Sequence, residues 1–182
     1  THLSTALAAT PQNLPPVYEF QIGGTLADGQ FSQPADISIS NGYAYVADSS
    51  NDRIQKFDLN GNFIAKWGSY GNGNGLFKNP EGISVSDGYV YVADAENGRI
   101  QRFDISGNFI SKFGSDFFKD GYFNHPTNLA ISDGNLYVTD SNNNRIQKFD
   151  TEGNFIAKWG TGGNEDGQFS TPMGISVSDG YV

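Results

Sequence analysis

Downstream of Pro34 the chain is made of short apolar alternations punctuated by glycine. Ile37-Ser38-Ile39, Ile83-Ser84-Val85, Leu129-Ala130-Ile131 and Ile175-Ser176-Val177 set apolar residues two apart, the spacing of a β-strand. Each is followed by Asn41-Gly42, Asp87-Gly88, Asp133-Gly134 or Asp179-Gly180, pairs that accept φ > 0 at both central positions of a two-residue hairpin. A second strand is expected next, as in Tyr89-Val90-Tyr91-Val92, then an Asx-rich loop and a third strand, as in Arg99-Ile100-Gln101-Arg102-Phe103. A further turn at Gly61, Gly107 or Gly153 leads to a fourth strand ending in Trp67, Phe113 or Trp159. One unit is therefore a four-stranded antiparallel meander.

The units repeat without a gap. Tyr45 to Gly68, Tyr91 to Gly114 and Tyr137 to Gly160 are copies offset by 46 residues, with Asp48, Asp94 and Asp140 in register. A fixed period of this length marks a solenoid, a propeller or an array of stacked units. Each unit opens on a Gly-x-Phe, at Gly29, Gly75, Gly121 and Gly167, with Pro34, Pro80, Pro126 or Pro172 following. Proline fixes φ and donates no hydrogen bond, so it is expected just before the first strand. A lone sheet leaves a face and two edges uncovered, so each unit needs neighbours. Twisted sheets with short inner and long outer strands fan around an axis. The expected fold class is all-β: a β-propeller of four-stranded antiparallel blades, with an incomplete ring in this chain.

The run G-x-F-x-x-P-x-G-I-S-V-S-D-G-Y-V-Y-V-A-D-x-x-N-x-R-I-Q-K-F-D-x-x-G-N-F-I-x-K-W-G resembles the NHL repeat. The resemblance covers Val17 to Val182, in three full copies and two partial ones, and implies a propeller that usually has six blades. The expected organisation is a tail or signal-peptide remnant over 1–16, the last strand of a closing blade within 17–28, blades over 29–74, 75–120 and 121–166, and the start of a fourth over 167–182. Because Tyr181 and Val182 fall inside an expected second strand, the chain reads as the N-terminal part of a longer propeller. The competing reading is a homo-oligomer that completes the ring through exposed strand edges. In the tail, Ala6-Leu7-Ala8 has the small-x-small form of a signal-peptidase site, which points to export and an extracellular or cell-surface location; a plain linker is the alternative.

Composition narrows the partners. Among 182 residues, 20 Asp+Glu against 11 Lys+Arg give a net charge of −9, which opposes binding to phosphate backbones and sets nucleic acid aside. A resemblance to the NHL domains of RNA-binding ubiquitin ligases weighs little for the same reason, since those read RNA with a basic face. No apolar run approaches the roughly 20 residues of a membrane-spanning helix. With no Cys, there is neither a disulfide framework nor a thiolate site.

The repeated charges Asp48 and Arg53, Asp94 and Arg99, and Asp140 and Arg145 flank the loop between second and third strands. They are assigned a structural role, as bidentate pairs pinning each loop, because a catalytic site on a ring breaks the repeat and these preserve it. The Asx-rich loops lack the spacing of a calcium cage, and turn chemistry explains them. His2 and His125 are the only histidines, too few for the zinc site implied by resemblance to the peptide-amidating lyases. No catalytic motif is found, and neither metal nor cofactor is expected.

The copies differ on one face. The Gly turns of the first face are nearly uniform, whereas 69–74, 115–120 and 161–166 diverge on the other, the geometry of a binding surface. Candidate contacts there are Tyr70, Phe117, Phe118, Lys119, Asn142 and Asn164, with the paired Phe as the anchor. The expected function is a non-catalytic binding or scaffold propeller recognising a protein, peptide or glycan through that face. The alternative is a lyase or hydrolase whose catalytic residues lie in further blades.

Overall fold

The second strand of the first and second copies is apolar on both faces up to its terminal Asp, and its position in the structure explains this. The computed structural model describes residues 27–116, 120–178 and 181–182. Its strands are β1 (Pro34–Ser40), β2 (Tyr43–Asp48), β3 (Arg53–Asp58), β4 (Phe63–Trp67), β5 (Pro80–Ser86), β6 (Tyr89–Asp94), β7 (Arg99–Asp104), β8 (Phe109–Phe113), β9 (Pro126–Ser132), β10 (Asn135–Asp140), β11 (Arg145–Asp150) and β12 (Phe155–Trp159). They form three four-stranded antiparallel sheets, each ordered in space as in sequence. The sheets stack as propeller blades, with β5 lying beside both β1 and β9, so the first strand of each blade lies nearest the axis.

The core lies between sheets. Val90 and Val92 on one face of β6 join Tyr45, Ala47, Ile54, Phe77, Ile83 and Phe103 in the cluster between the first two blades. Tyr91 and Ala93 on the other face join Ile100, Phe123, Leu129, Leu136, Val138 and Phe149 between the second and third. Burial on both faces turns a period-two strand into a continuous apolar run. Each large side chain so enclosed contributes about 1.5–3 kcal/mol. The dependence on a neighbour is visible at β1: Ile37 is 56% exposed, while Ile83, in register on β5 and covered by the first blade, is 3% exposed.

Four expectations change. The prolines open their strands as first residues, because a bulge follows at once and Pro34, Pro80 and Pro126 pair with Asp48, Asp94 and Asp140 without donating. The innermost strand is the longest, seven residues against five for the outermost, since the chain leaves the outer strand at Gly68 or Gly114 to return to the axis. The Asx-rich loops contain 3-10 turns, at Ser49–Asn51, Ala95–Asn97 and Ser141–Asn143. Ile175 to Val177 forms no strand: the partner expected for it supplies only an isolated bridge from Tyr181 to Ser178. The strand expected at Val17 to Gly23 lies outside the described residues.

On the uniform face, the first hairpin of each blade turns through left-handed residues, Asp87 at φ 50° and Gly88 at φ 82° in the second. The other turn is held by a carboxylate. Asp104 Oδ1 accepts the N–H groups of Ser106 and Asn108, both at 2.9 Å, and its Oδ2 accepts the Asn108 amide at 2.8 Å. Asp58 makes the same set with Asn60 and Asn62. The Asn108 and Asn62 amides hold these carboxyls below their ordinary value of 3.8.

A side chain at Gly88 meets nothing within 4 Å, so substitution there tests the backbone alone. Gly88→Val is expected to lower stability by about 1–3 kcal/mol, read as a lower urea midpoint, and Gly88→Asn by clearly less; equal midpoints for all three would refute the turn's energetic role. The depressed Asp104 carboxyl stabilises the fold fully above pH 3.8 and loses that contribution as pH falls through its lower folded value. Asp104→Asn is therefore expected to be less stable than the parent near neutrality, with the gap narrowing below pH 3.8. A gap independent of pH would contradict this.

Candidate functional site

The diverging face is built on one buried network per blade. Asp94, fully buried, accepts hydrogen bonds from Lys78 N–H at 2.8 Å, Asn97 Nδ2 at 2.9 Å, Arg99 Nε at 2.7 Å and Gln101 Nε2 at 3.1 Å. Burial pushes its carboxyl above the ordinary value, and the Lys78 N–H, Asn97 and Arg99 oppose that shift. Asp48 with Asn51, Arg53 and Gln55, and Asp140 with Asn143, Arg145 and Gln147, repeat the arrangement.

The pairs are not bidentate. Arg99 gives only Nε to Asp94 and directs the rest of its fork to the carbonyls of Asn72, Gly73 and Leu76. The reason is positional: the loop entering the blade wraps over the guanidinium and offers it carbonyls. Gln101 completes the clamp, accepting from Gly75 N–H at 3.0 Å and donating to Leu76 O at 2.8 Å. The diverging segment before the second blade is thus held by its backbone, which frees its side chains to vary.

Where the first strands begin, the repeat breaks. Gln33, Asn79, His125 and Thr171 occupy one register position, all left-handed with φ from 48° to 59°. Glu81 Oε1 accepts from Asn79 Nδ2 at 2.7 Å and lies 3.1 Å from His125 Nε2, tying the second blade to the third. Asp36 reaches further. Its Oδ2 accepts Ile83 N–H at 2.9 Å and Asn128 Nδ2 at 3.3 Å, joining the first blade to the third. Gly82 permits this approach, because a Cβ there would lie 2.8 Å from Asn128 Cα and Thr127 O. Burial pushes the Asp36 carboxyl up, against the pull of the Ile83 and Ile37 N–H groups and Asn128.

Between the second and third blades this face holds an open cavity of about 420 Å³, lined by residues including Glu96, Gly98, Tyr122, Asn124, His125 and Asn142. Of the candidate contacts, Asn142 lies here, with Nδ2 3.4 Å from Asn124 Oδ1 and its N–H on Asn124 O at 3.2 Å. Tyr70 is 69% exposed, with Lys78 Nζ 5.3 Å from its ring centroid, and Asn164 is exposed; neither lines the cavity. Phe117, Phe118 and Lys119 lie outside the described residues. Among the described residues no group of three or more His, Cys, Asp or Glu is placed to hold a metal ion.

Sequence reasoning missed the buried Gln55, Gln101 and Gln147 and the capping Asn51, Asn97 and Asn143. Their signal was repetition at a fixed register, the same that singled out Asp and Arg. It also missed Asp36 and the pairing of Glu81 with His125, whose signal was the opposite: titratable residues where the other copies have none.

Three stacked four-stranded meanders around an axis define a β-propeller. A family model described as 6-bladed beta-propeller matches residues 19–123, and one described as NHL repeat matches residues 123–149. The chain belongs to the six-bladed, NHL-type β-propeller family. No curated protein sequence matches it. Among solved structures, Kuenenia stuttgartiensis hydrazine synthase is similar, with a TM-score of 0.59 and 18% identity over 82% of this chain. The match spans 40% of that chain and at this identity shows the fold alone.

Removing the Asp94 carboxylate leaves the buried Arg99 charge unpaired. Asp94→Ala is expected to lose about 3–5 kcal/mol in urea unfolding and to speed amide exchange across 72–76, whereas a loss below about 1 kcal/mol would show the network to be dispensable.

Proposed function

We propose that this chain is a non-catalytic binding propeller that recognises a protein, peptide or glycan through its diverging loop face, at the outside of the cell. The observation that carries the reading is the division of labour on that face. Buried Arg and Gln side chains hold the loop backbone at Asn72, Gly73 and Leu76, while described side chains that differ between copies, such as Tyr70 and Asp116, stand exposed. A recognition surface needs this combination, because contacts made by a pre-ordered loop avoid the entropy of ordering it on binding. Exposed Tyr70 and the cavity beside Asn142 supply an aromatic contact and a polar recess of the size that small ligands or chain ends occupy. The small-x-small pattern at Ala6-Leu7-Ala8 supports the location.

The test is a peptide library and a glycan array probed with the immobilised chain, followed by affinity measurements on the strongest hit. Tyr70→Ala, Asn142→Ala and the double variant Phe117→Ala/Phe118→Ala are expected to fold normally, with at least one weakening binding about tenfold or more. Full affinity in all three, or no hit on either array, would overturn the reading. A large fall in melting temperature for the Phe pair would place those rings in the core.

A further inference from the structure

The residue after each 3-10 turn is left-handed and points at the next blade. At the first junction it is Asp52, whose Oδ1 accepts Asn79 N–H at 2.8 Å, and at the third it is Asn144, whose Oδ1 accepts Thr171 N–H at 2.7 Å. At the middle junction it is Gly98, at φ 60°, which has no side chain to offer. The equivalent N–H, that of His125, has no acceptor among the described residues. The cavity of about 420 Å³ lies at this place. The side chain that caps this N–H at the other two junctions is missing here, which leaves a backbone donor at the cavity for a ligand to use.

We propose that this cavity binds a residue of a neutral saccharide, an assignment that rests on the loop-face reading above and gives it a ligand class. The lining asks for both hydrogen-bonding senses at close spacing. Glu96 accepts only, the His125 N–H donates only, and the amides of Asn124 and Asn142 do both. Adjacent hydroxyls of a sugar ring, each a donor and an acceptor, meet that demand. Charge selects against acids: Glu96 lines the cavity, Glu81 stands behind the His125 ring at 3.1 Å, and the chain carries a net −9. An apolar peptide side chain would want an apolar recess, and this one is lined chiefly by polar groups, with Tyr122 and Phe123 beside them.

The experiment is saturation-transfer NMR on the full chain with a panel of free neutral mono- and disaccharides, their uronic-acid counterparts and short peptides. Transfer to at least one neutral saccharide is expected, with uronic acids bound at least about tenfold more weakly. Gly98→Asn installs the residue found at the third junction and is expected to weaken that binding about tenfold or more by occupying the cavity. Its Cβ would stand 2.9 Å from Phe123 O, so its melting temperature is measured alongside. Should it fail to fold, Glu96→Gln and Asn142→Ala decide, each expected to lose severalfold in affinity. Unaltered affinity in the folded variants, or preference for uronic acids, overturns the assignment. Binding of peptides alone overturns it while leaving the loop-face reading intact, and silence across the whole panel removes both.

Discussion

A carboxylate with no access to water, Asp94, sets the terms for the rest of the blade. Burying a charge is unfavourable unless nearly every lone pair is met, so Asp94 requires an amide N–H from the incoming connection and three side-chain donors. Those donors in turn bring obligations of their own. Arg99 and Gln101 have N–H groups left over, and only the carbonyls of the segment before the blade satisfy them. One acidic side chain thus specifies the end of β6, the 3-10 turn, the start of β7 and the path of a loop more than twenty residues upstream.

Apolar packing supplies a different kind of constraint. Val90 and Val92 against one neighbour, and Tyr91 and Ala93 against the other, hold the blades together without choosing their register, since dispersion and water exclusion are non-directional. Direction comes from the polar ties: the Asp networks within a blade, Ser49 Oγ on Pro80 O and Ser141 Oγ on Pro172 O between blades, and Asp36 across to Asn128. Where such a tie is missing, a polar atom is left over. Gln147 shows this on a small scale, its buried Oε1 having no partner among the described residues while Gln55 and Gln101 cap Gly29 and Gly75.

The repeat made the fold readable. Alternation, Asp-Gly turns and a constant offset define the blade because each is a local physical requirement written three times, as at Asp87-Gly88 and its equivalents. Strand length and the monodentate geometry of Arg99 were not readable, since both depend on where a loop lands in space. The candidate face was legible only in part. Repetition brought out Asp94 and Arg99, and divergence brought out Tyr70 and Asn142. Gly98 escaped notice because it looks like an ordinary turn glycine until the Asp52 and Asn144 side chains are seen accepting the equivalent N–H next door. His125 was weighed as a metal ligand and not as a rim residue, because Glu81 is its neighbour only once the blades are stacked.

The span of these ties bears on how such a chain can change over generations. The loop clamps, inter-blade cores and serine ties join a blade only to itself or its immediate neighbour, so a gained or lost 46-residue copy would still meet a neighbour of the same kind, although Ala95 gives the middle junction no serine tie. The reach from Asp36 to Asn128 is different, skipping a whole copy through the space left by Gly82. That contact needs a glycine between its two partners, where the first and third copies carry Asp36 and Asn128, so the second copy is the one that neither of these siblings can replace.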